Sequence, residues 1–572
     1  MNIETIYQKW LSNKNLDAKL KQQLEAMTEA QKEDAFYTNL EFGTAGMRGV
    51  IGPGTNRMNI YTIRKANTGF AKYLLENVEN AKERGVAIAY DSRHFSHEFA
   101  IESAKVLATH GIKTYVFEGV RPTPELSFAV RQLSCAGGIV ITASHNPPEY
   151  NGYKIYDESG CQTLPSEGDK VIAGVNAVAD VFAITVKSEA QLRAAGLIEN
   201  IGTLVDEAYL SRVKALQINP DVNKSALSIV FSPLHGTAGM LTSKLMATCG
   251  YDNFHMVKEQ AQPDPDFTTV SYPNPEDHAA FEYAIKAGRQ IGADILLATD
   301  PDADRMGVAA KDLATGEYVL LTGNQTGALL VYYILSQRKA NGTLPAKGRV
   351  FDTIVSSQLA AKIAHAYGLE TISTLTGFKF IGEQARLMEG SPYEYVFGYE
   401  ESYGSLVSDF VRDKDAIQAV LLLSEAAAYY KQQNKTLCDV LNDIYQEFGF
   451  YQEDLINISL TGKEGSEKIN LLLNEFRTNP PVEIAELDVI TTEDYKTSKK
   501  TTNGVVSTIE LPAANVLKYH LEDGSWFVLR PSGTEPKVKI YISVVTDNAI
   551  KTKEHALAIK KDILLKVDAI LA

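Results

Sequence analysis

The sequence predicts an α/β protein in which three α/β domains with mixed, largely parallel sheets precede a C-terminal α+β domain. The first observation is length, because a chain of 572 residues is too long for one hydrophobic core, and a prior of roughly 150 residues per domain gives three to five domains. The second is a recurring order of short apolar run, polar loop and helical segment, which is typical of βαβ units. The third is a change of pattern near residue 445.

The predicted elements follow in chain order. Residues 1–38 carry Glu, Lys, Leu and Ala at helical spacing and predict a helical extension. The strand-and-loop units that follow are VAIAYDSRH (86–94), GIVITASHN (138–146), LSIVFSPLHGTAG (227–239), ADILLATDPDADR (293–305) and YEYVFGYEESYG (393–404). SWFVLRPSGTEPKVKIYISVV (525–545) predicts strand, tight loop and strand, with a helix after it. We therefore predict domains at 1–205, 206–322, 323–445 and 446–572.

Composition excludes several classes of protein. Hydrophobic residues at 45% and charged residues at 22% are typical of a soluble globular chain. A formal charge of −15 argues against a nucleic-acid partner, which needs a basic surface. The four scattered cysteines show no CxxC spacing and indicate neither a disulfide framework nor a zinc site. No apolar run of about 18 residues and no signal-peptide pattern occurs, so we expect a cytoplasmic protein that does not contact membranes.

A cluster of aspartates forms the sharpest motif. Asp300, Asp302 and Asp304 follow an apolar run in TDPDADR and precede Arg305. Carboxylates at i, i+2 and i+4 in a loop can converge on one hard cation, and so few oxygen donors favour Mg²⁺ completed by a phosphate oxygen. A calcium EF-hand is rejected, because its sixth position would be Arg305 instead of glycine and its twelfth Lys311 instead of glutamate. The alternative is a solvated acidic turn, which the preceding buried strand disfavours.

Ser144, in TASHNPPEYNGYK, is predicted to lie on the loop at the carboxyl end of a buried strand, where α/β proteins place their chemistry. Pro147-Pro148 rule out a helix directly after it, and Asn151-Gly152 predict a turn that returns Lys154 to this loop.

An acyl-transfer role for this serine is poorly supported, because a hydrolase elbow has the form GxSxG and this chain has Thr142 and Asn146 at the glycine positions. A lone serine would be interpreted as a turn residue. Together with the aspartates, it fits reversible phosphoryl transfer, in which a phosphate on the serine shares its charge with Mg²⁺ and cationic side chains.

A loop between two strands supplies a candidate phosphate cradle. VLRPSGTEPKVK (528–539) offers Arg530, Ser532, Gly533 and Thr534, whose guanidinium, hydroxyls and backbone N–H groups can enclose an oxyanion. An ordinary tight turn is the alternative. No Walker A or HExxH motif occurs, so nucleotide hydrolysis and zinc proteolysis are not indicated.

Weaker motifs complete the set. GYEESYG (398–404) places Glu400 and Ser402 at a strand end, suited to the vicinal hydroxyls of a sugar, although a solvated loop is equally consistent. FGTAGMRG (42–49) holds Arg48 among glycines that also serve close packing. His235, Lys379 and Lys414 are single cations, each more often a surface or capping residue than a catalyst.

The order FGTAGMRG, TASHNPPEYNGYK, DPDADR, GYEESYG, RPSGTEPK resembles the α-D-phosphohexomutase superfamily of phosphoglucomutases and phosphomannomutases over about residues 40–545. The resemblance implies domains around a central cleft, which contribute a phosphoserine loop, a metal loop, a sugar loop and a phosphate loop. The length, the helical extension and GYEESYG are more similar to the longer bacterial α-phosphoglucomutases, a subgroup that also contains phosphopentomutase-like members.

The resemblance also implies residue roles. Ser144 matches the phosphoserine and a metal contact, and the aspartates match the Mg²⁺ ligands. The predicted catalytic residues are Ser144, His145, Arg48, Arg305, Lys154 and Lys414. The lysines are candidates for general acid and base, and Lys414 is favoured as the base because the GExSGH-like sugar loop of related branches, with its histidine, is replaced here. The predicted substrate contacts are Arg93, His235, Lys379, Glu400, Ser402, Arg530, Ser532, Gly533 and Thr534.

The activity implied is interconversion of glucose 1-phosphate and glucose 6-phosphate, with glucose 1,6-bisphosphate as intermediate and activator and Mg²⁺ as cofactor. Phosphomannomutase or phosphopentomutase activity by the same mechanism is the alternative. A sugar phosphatase would not need the RPSGTEPK cradle, and a sensor without turnover would not need Ser144 and the aspartates. We expect a monomer or homodimer whose ligand is a small sugar phosphate.

Overall fold

The computed structural model describes residues 2–43, 46–532 and 537–571. The chain divides into two compact units. Unit 1 comprises Met1–Thr326, Gln337–Arg349 and Phe378–Cys438, and unit 2 comprises Gly327–Ser336, Val350–Gly377 and Asp439–Ala572.

The predicted helical extension is confirmed as short helices separated by turns: α1 (Ile3–Leu11), α2 (Ala18–Glu25) and α3 (Glu29–Phe36). Asn2, Asp17 and Thr28 cap their N-termini by accepting backbone N–H bonds, and these caps explain why each helix starts where it does. Their apolar faces bury Trp10 and Phe36 in a small core that also includes Tyr61 and Phe182 from later in the chain.

The first sheet of unit 1 has the strand order β1-β5-β4-β2-β3-β6. Its strands are β1 (Gly46–Val50), β2 (Val86–Tyr90), β3 (Thr114–Phe117), β4 (Gly137–Ile141), β5 (Tyr150–Tyr156) and β6 (Ile198–Ile201). The associated helices are α4 (Ile60–Asn77), α5 (Ala81–Arg84), α6 (Ser96–Thr109), α7 (Thr123–Gln132), α8 (Pro165–Asn176), the 3₁₀ turn Val181–Ala183 and α9 (Glu189–Ala194). Strands β2, β3, β4 and β6 run parallel, and β5 pairs antiparallel with both β4 and β1.

One local prediction is wrong. Asn151 and Gly152 do not form a turn but lie inside β5, paired with β1. The chain reverses earlier, where the Tyr150 amide donates to the Pro147 carbonyl. Lys154 therefore returns toward the serine loop along an antiparallel strand, opposite Val140 of β4.

The second sheet of unit 1 has the order β11-β10-β9-β7-β8, with parallel pairing of β7 to β8 and β9, and antiparallel pairing of β10 to β9 and β11. Its elements are α10 (Thr203–Lys214), Lys224–Ala226 (3₁₀), β7 (Ile229–Ser232), α11 (Ala238–Cys249), β8 (Phe254–Met256), Lys258–Gln260 (3₁₀), His278–Phe281 (3₁₀), α12 (Glu282–Ile291), β9 (Ile295–Thr299), β10 (Met306–Lys311) and β11 (Tyr318–Leu321).

The third α/β segment contributes to both units. Its elements are α13 (Gly323–Ala340), β12 (Gly348–Thr353), α14 (Gln358–Ala366), β13 (Glu370–Thr374), α15 (Phe378–Met388), β14 (Glu394–Tyr399), β15 (Ser405–Leu406), α16 (Ala416–Lys431) and α17 (Leu437–Phe448). Within unit 1, β14 and β15 form an antiparallel pair around the GYEESYG loop.

The C-terminal part of unit 2 is an antiparallel sheet in the order β16-β23-β22-β21-β18-β19-β20, with β17 paired to β18. Its elements are β16 (Phe450–Ser459), α18 (Gly462–Thr478), β17 (Glu483–Ile484), β18 (Leu487–Asp494), β19 (Lys499–Thr502), β20 (Val505–Thr508), β21 (Leu517–Leu521), β22 (Trp526–Pro531), β23 (Lys537–Thr546) and α19 (Ala549–Leu571).

The predicted fold class is confirmed, because mixed sheets with alternating helices precede an α+β part. The predicted boundaries at 205, 322 and 445 stay predictions. Across the part of the chain that the structure describes, no helix is both long and apolar enough to span a membrane.

Candidate active site

Ser144 lies on the loop that leaves the carboxyl end of β4. Its side chain is buried, and its Oγ donates to Asp300 Oδ2 at 2.8 Å and lies 3.2 Å from His145 Nδ1. The Thr142 hydroxyl accepts the Ser144 backbone N–H at 2.8 Å, which fixes the start of the loop. The predicted pairing of this serine with the aspartate loop is therefore present in unit 1.

Arg93 holds the serine loop from within the protein. Its side chain is fully buried, and its guanidinium donates to the carbonyl oxygens of Ser144 at 2.5 Å, Pro147 at 2.7 Å and Tyr150 at 3.1 Å, and also to Asn146. We predicted Arg93 as a substrate contact, but these bonds direct it toward the loop's own backbone. Its position is that of a residue that orients Ser144.

The metal loop joins β9 to β10 and is folded around Asp300. Asp300 Oδ1 accepts the backbone N–H groups of Asp304 at 3.1 Å and Arg305 at 3.0 Å. This closes the loop, so that one oxygen from each of Asp300, Asp302 and Asp304 lies within 4.8 Å of the others, all three residues being buried. The sequence spacing predicted this convergence.

The donor set fits a divalent cation. Asp302 Oδ1 and Asp304 Oδ1 are buried and accept no hydrogen bond from any described residue. Orphaned buried carboxylate oxygens are costly unless a cation or donor satisfies them. An all-oxygen set with the Ser144 hydroxyl beside it suits a hard ion such as Mg²⁺.

Two lysines face the aspartates. Lys154 Nζ lies 2.8 Å from Asp302 Oδ2 and 3.7 Å from Asp304 Oδ2, and Lys414 Nζ lies 2.9 Å from Asp304 Oδ2 and 3.8 Å from Asp413 Oδ1. Burial opposes the charged form, but the carboxylates more than offset it and raise the pKa of both lysines. In this arrangement each lysine is therefore an ammonium group. The assignment of Lys414 as the general base stays a prediction.

The pKa values of Asp300 and Asp302 are shifted in opposite directions. Burial, together with the charges of Asp304 and Asp302, raises the pKa of Asp300 well above its usual value. Burial acts in the same direction on Asp302, but the ammonium group of Lys154 outweighs it and lowers that pKa. Burial and the charges of Arg305 and Arg48 lower the pKa of His145 to about 2, so this imidazole is neutral.

Two arginines flank the cluster. Arg305 follows the aspartates and donates to Glu276 at 2.5 Å. Burial disfavours its charge, but Glu276 and the aspartates outweigh this effect and raise its pKa. Arg48, on β1, is exposed and donates to the Asn146 side chain of the serine loop at 2.8 Å. It is thus a cation beside the serine that remains open to an anionic ligand.

Backbone contacts connect the GYEESYG loop to the metal loop. Gly404 forms an isolated bridge with Arg305, and the Met306 amide donates to the Tyr403 carbonyl at 3.1 Å. A Cβ on Gly404 would lie 2.1 Å from the Lys414 side chain, so only glycine allows this approach. Glu400 is buried and its charge acts on Arg305 and Lys414, whereas Ser402 is half-buried.

Backbone conformation marks these loops as unusual. Ser144, Ala303 and Tyr403 have φ of 52°, 53° and 69°, in the left-handed region that residues other than glycine rarely adopt. One such residue lies in each of the serine, metal and sugar loops. Clusters of this kind occur where surrounding contacts hold a loop in a functional shape.

The remaining predicted contacts are more dispersed. His235 is buried, with ring nitrogens 2.8 Å from Thr269 Oγ1 and 3.3 Å from the Gln262 carbonyl, so its described partners belong to its own domain. Lys379 lies on α15 over the Phe380 ring, and burial lowers its pKa.

The predicted cradle belongs to unit 2. Arg530 is half-buried within β22, one residue before the strand's end and opposite Lys539 of β23. Ser532 follows the strand, and its amide donates to the Lys537 carbonyl at 2.7 Å. Gly533 and Thr534 lie outside the described residues.

Sequence reasoning missed three residues that support the cluster. Thr123 Oγ1 donates to Asp302 Oδ2 at 2.9 Å, and its amide donates to the Asp302 carbonyl. Glu276 pairs with Arg305, and Tyr156 donates to Asp413 at 2.7 Å, next to Lys414. Thr123 follows β3 at the same sheet edge as Ser144, and that placement was the available signal.

Models of the phosphoglucomutase/phosphomannomutase family match four segments of the chain. Alpha/beta/alpha domain I matches residues 39–181, domain II 207–316, domain III 322–448 and the C-terminal domain 469–560.

Curated relatives match nearly the whole chain. A phosphoglucomutase of Staphylococcus epidermidis is 40% identical over 524 residues, which cover 91% of this chain and 93% of the relative. A phosphoglucomutase of Staphylococcus aureus is 39% identical over 542 residues, covering 94% and 95%.

Solved structures share the fold. One is described as a putative phosphomannomutase from Thermus thermophilus, with a TM-score of 0.68, 23% identity and coverage of 93% of this chain and 99% of that one. Another is the open form of the Paramecium phosphoprotein pp63/parafusin, described as a phosphoglucomutase, with a TM-score of 0.66, 20% identity and coverage of 93% and 95%. Family models, relatives and fold agree, and the chain is an enzyme that belongs to the phosphoglucomutase/phosphomannomutase family.

Proposed function

We propose that the chain interconverts glucose 1-phosphate and glucose 6-phosphate, with Ser144 as the residue that carries the phosphoryl group. The observation that carries the proposal is the 2.8 Å contact of Ser144 Oγ with Asp300, inside a cluster of three buried aspartates. A serine in this setting is a poor acyl nucleophile but a suitable phosphoryl carrier. The Staphylococcus relatives, both phosphoglucomutases, support glucose as the sugar.

The reaction proceeds in two balanced halves. In the first, the P–O bond to phosphorylated Ser144 breaks and a P–O bond to the free hydroxyl of the sugar monophosphate forms, while that hydroxyl proton passes to the serine oxygen. In the second, the resulting glucose 1,6-bisphosphate, after reorientation, returns its other phosphoryl group to Ser144. Glucose 1,6-bisphosphate thereby also activates enzyme that has lost its phosphate.

The chain's own residues supply most of what this transfer needs. Lys154 and Lys414, held as ammonium groups, can hydrogen-bond the oxygens of the transferred group and donate protons. Arg48 offers an exposed guanidinium to the same charge. Mg²⁺ bound by Asp300, Asp302, Asp304 and the Ser144 oxygen would add Lewis-acid stabilisation of the phosphoryl charge.

Three further groups are assigned to the substrate. Glu400 and Ser402 would bind sugar hydroxyls in either orientation of the ring. Arg530 and Ser532 would hold the phosphate that is not reacting, because a bisphosphate must be retained by contacts remote from the chemistry. Arg93 and His235, whose described partners lie within the protein, are better assigned to positioning their loops.

The test compares initial rates on glucose 1-phosphate, mannose 1-phosphate and ribose 1-phosphate, each with Mg²⁺ and catalytic glucose 1,6-bisphosphate, with free phosphate measured in parallel. We expect the highest kcat/KM on glucose 1-phosphate and isomerised product in large excess over free phosphate. A preference for mannose or ribose 1-phosphate would replace the substrate within the same mechanism. Stoichiometric release of phosphate would replace the mutase with a phosphatase.

A further inference from the structure

The starts of three helices in unit 1 hold the metal loop by its backbone. Amides at the N-termini of α11, α7 and α16 donate to three consecutive carbonyls of the loop: Thr237 to Pro301 at 2.9 Å, Thr123 to Asp302 at 2.9 Å and Ala416 to Ala303 at 3.2 Å. A helix leaves its first amides without an acceptor of its own, so each bond satisfies a donor as well as a loop carbonyl. The protein itself therefore fixes the main chain of the metal loop.

Thr123 differs from the other two residues because it also contacts a side chain of the loop. Its Oγ1 donates to Asp302 Oδ2 at 2.9 Å, and Lys154 Nζ donates to the same oxygen at 2.8 Å. Asp302 Oδ1 is buried and accepts no hydrogen bond from any described residue. The two donors therefore engage one oxygen of this carboxylate and leave the other to a cation.

The Thr123 hydroxyl is held on a rigid support. Thr123 is fully buried and lies between Pro122 and Pro124 at the start of α7. The prolines fix their own φ angles, and the β-branch of threonine restricts its side chain to few rotamers. Arg121, two residues earlier, pairs with Asp206 through two contacts of 2.8 and 2.9 Å. The hydroxyl position is thus set by the fold, and the carboxylate must orient to it.

We propose that Thr123 is a positioning residue for the metal site, which turns Asp302 so that Oδ1 is the oxygen presented to the cation. This inference rests on the divalent-cation site proposed above and deepens it. In that site the aspartates supply the charge, whereas Thr123 and Lys154 determine which oxygen of Asp302 is used. Partners of this kind orient a ligand and typically change metal affinity 10- to 100-fold when they are removed.

The experiment is titration of the full-length protein with Mn²⁺ in the absence of sugar phosphate, with free Mn²⁺ measured from its EPR signal. Mn²⁺ takes the same oxygen ligands as Mg²⁺. We expect saturable binding to wild type that Asp302→Asn abolishes. Thr123→Val should weaken Mn²⁺ binding about tenfold, whereas Thr123→Ser, which keeps the hydroxyl, should stay within about twofold of wild type.

The matched control is Thr237→Val. Thr237 is also a buried threonine at a helix start, and both its amide and its Oγ1 donate at 2.9 Å to the Pro301 carbonyl, so its hydroxyl contacts backbone instead of a carboxylate. Both valine variants remove one hydroxyl bond to the metal loop, and we expect similar decreases in Tm. We expect Mn²⁺ affinity close to wild type in Thr237→Val alone.

Three outcomes would overturn the positioning role while the metal site itself stands: wild-type Mn²⁺ affinity in Thr123→Val, equal weakening in Thr123→Val and Thr237→Val, or equal weakening in Thr123→Val and Thr123→Ser. Absence of saturable Mn²⁺ binding to wild type, or its persistence in Asp302→Asn, would instead refute the cation site and this inference with it. The measurement contains no sugar phosphate, so a different substrate preference would leave its result unchanged.

Discussion

The two units bury ionisable groups in opposite ways. In unit 1, Lys154 lies 2.8 Å from Asp302 and Lys414 lies 2.9 Å from Asp304. The opposite charges raise the pKa of both lysines and lower that of Asp302, whereas the pKa of Asp300, whose described partners include neither lysine, is raised. In unit 2, Lys518 of β21 donates to the Ile354 carbonyl at 2.7 Å and lies 4.3 Å from the Trp526 ring centroid. Burial there lowers the pKa of Lys518 to about 8 and raises that of Asp352, on β12, to about 7.

The difference shows what compensation does for a buried charge. Opposite charges at contact distance replace the lost hydration of Lys154, Lys414 and Asp302 and favour their charged forms, at the expense of unsatisfied oxygens. In unit 2, a backbone carbonyl and an aromatic ring replace the lost hydration of Lys518 only partly. The pKa values of Lys518 and Asp352 therefore shift in favour of the neutral forms. We therefore expect substitutions in the first cluster to change activity, and substitutions in the second to change stability.

The largest effect is expected for Ser144→Ala. Turnover should fall to background, because the atom that we propose to carry the phosphoryl group is removed, while the melting temperature stays within a few degrees of wild type. Intact-mass analysis should show the added mass of one phosphoryl group on a fraction of wild type and none on the variant. Ser166→Ala, at an exposed serine, is the control. Substantial mutase activity in Ser144→Ala would end the proposed role.

Asp302→Asn should lower kcat/KM by about 100-fold or more, because it removes a charged oxygen from the metal set and a partner of Lys154. Chelation with EDTA should abolish wild-type activity and added Mg²⁺ should restore it, with a higher Mg²⁺ requirement in the variant. Asp252→Asn, at an exposed aspartate of the same segment, should behave as wild type. Full activity in excess EDTA would reduce the cluster to a structural role.

Arg530→Ala sharpens the comparison, because it tests the functional cation that we propose for unit 2, on the strand that also carries Trp526. Loss of a charge-assisted phosphate contact should raise the KM for the monophosphate about tenfold. It should also release the bisphosphate more often, and the variant would then depend on added glucose 1,6-bisphosphate. Lys561→Ala, exposed on α19, is the control. An unchanged KM together with wild-type dependence on bisphosphate would mean that this loop is only a turn.

The smallest effect concerns Asp352 and is visible only in stability. Because burial raises its pKa to about 7, the folded chain binds this proton more tightly than the unfolded chain, and folding stability falls as pH rises from about 4 to about 7. Asp352→Asn should remove up to about 4 kcal/mol of that fall. Its Tm relative to wild type should therefore increase between pH 5 and pH 7.5, with near-normal activity. Glu510→Gln, exposed in the same unit, should show no such trend; an equally flat difference for Asp352→Asn would refute the prediction.

Sequence alone identified the parts of the site that are compact along the chain. Ser144 and the three aspartates each follow a buried strand at its carboxyl end, where α/β proteins place their chemistry, so the apolar strand pattern and the motif spacing were enough to identify each loop. The contact between the two loops is tertiary, because β4 and β9 belong to different sheets. The motif also identified Lys154, but Asn151-Gly152, which lie in the same strand, were predicted as a turn. Asn-Gly is a common turn signal, and here pairing with β1 overrides that local preference.

The role of Arg93 could not be predicted from the sequence, and the reason is different. Its partners are backbone carbonyls of a loop some fifty residues away. Because every residue has a backbone carbonyl, the sequence does not show which of them an arginine will contact. Thr123 and Asp302 are 179 positions apart, and only the tertiary fold shows that they meet. The part of the cradle at Gly533 and Thr534 stays a prediction.

The left-handed backbone at Ser144 and Ala303 limits how this enzyme could be altered by selection or design. A threonine in place of Ser144 would add a β-branch to a conformation that already crowds an unbranched side chain, so serine and threonine are not interchangeable phosphoryl carriers here. Ala303 presents the opposite case, because its Cβ adds a steric penalty that glycine would not incur. A thermostability programme could relieve the backbone at Ala303, whereas at Ser144 the same penalty would be inseparable from the proposed phosphoryl transfer.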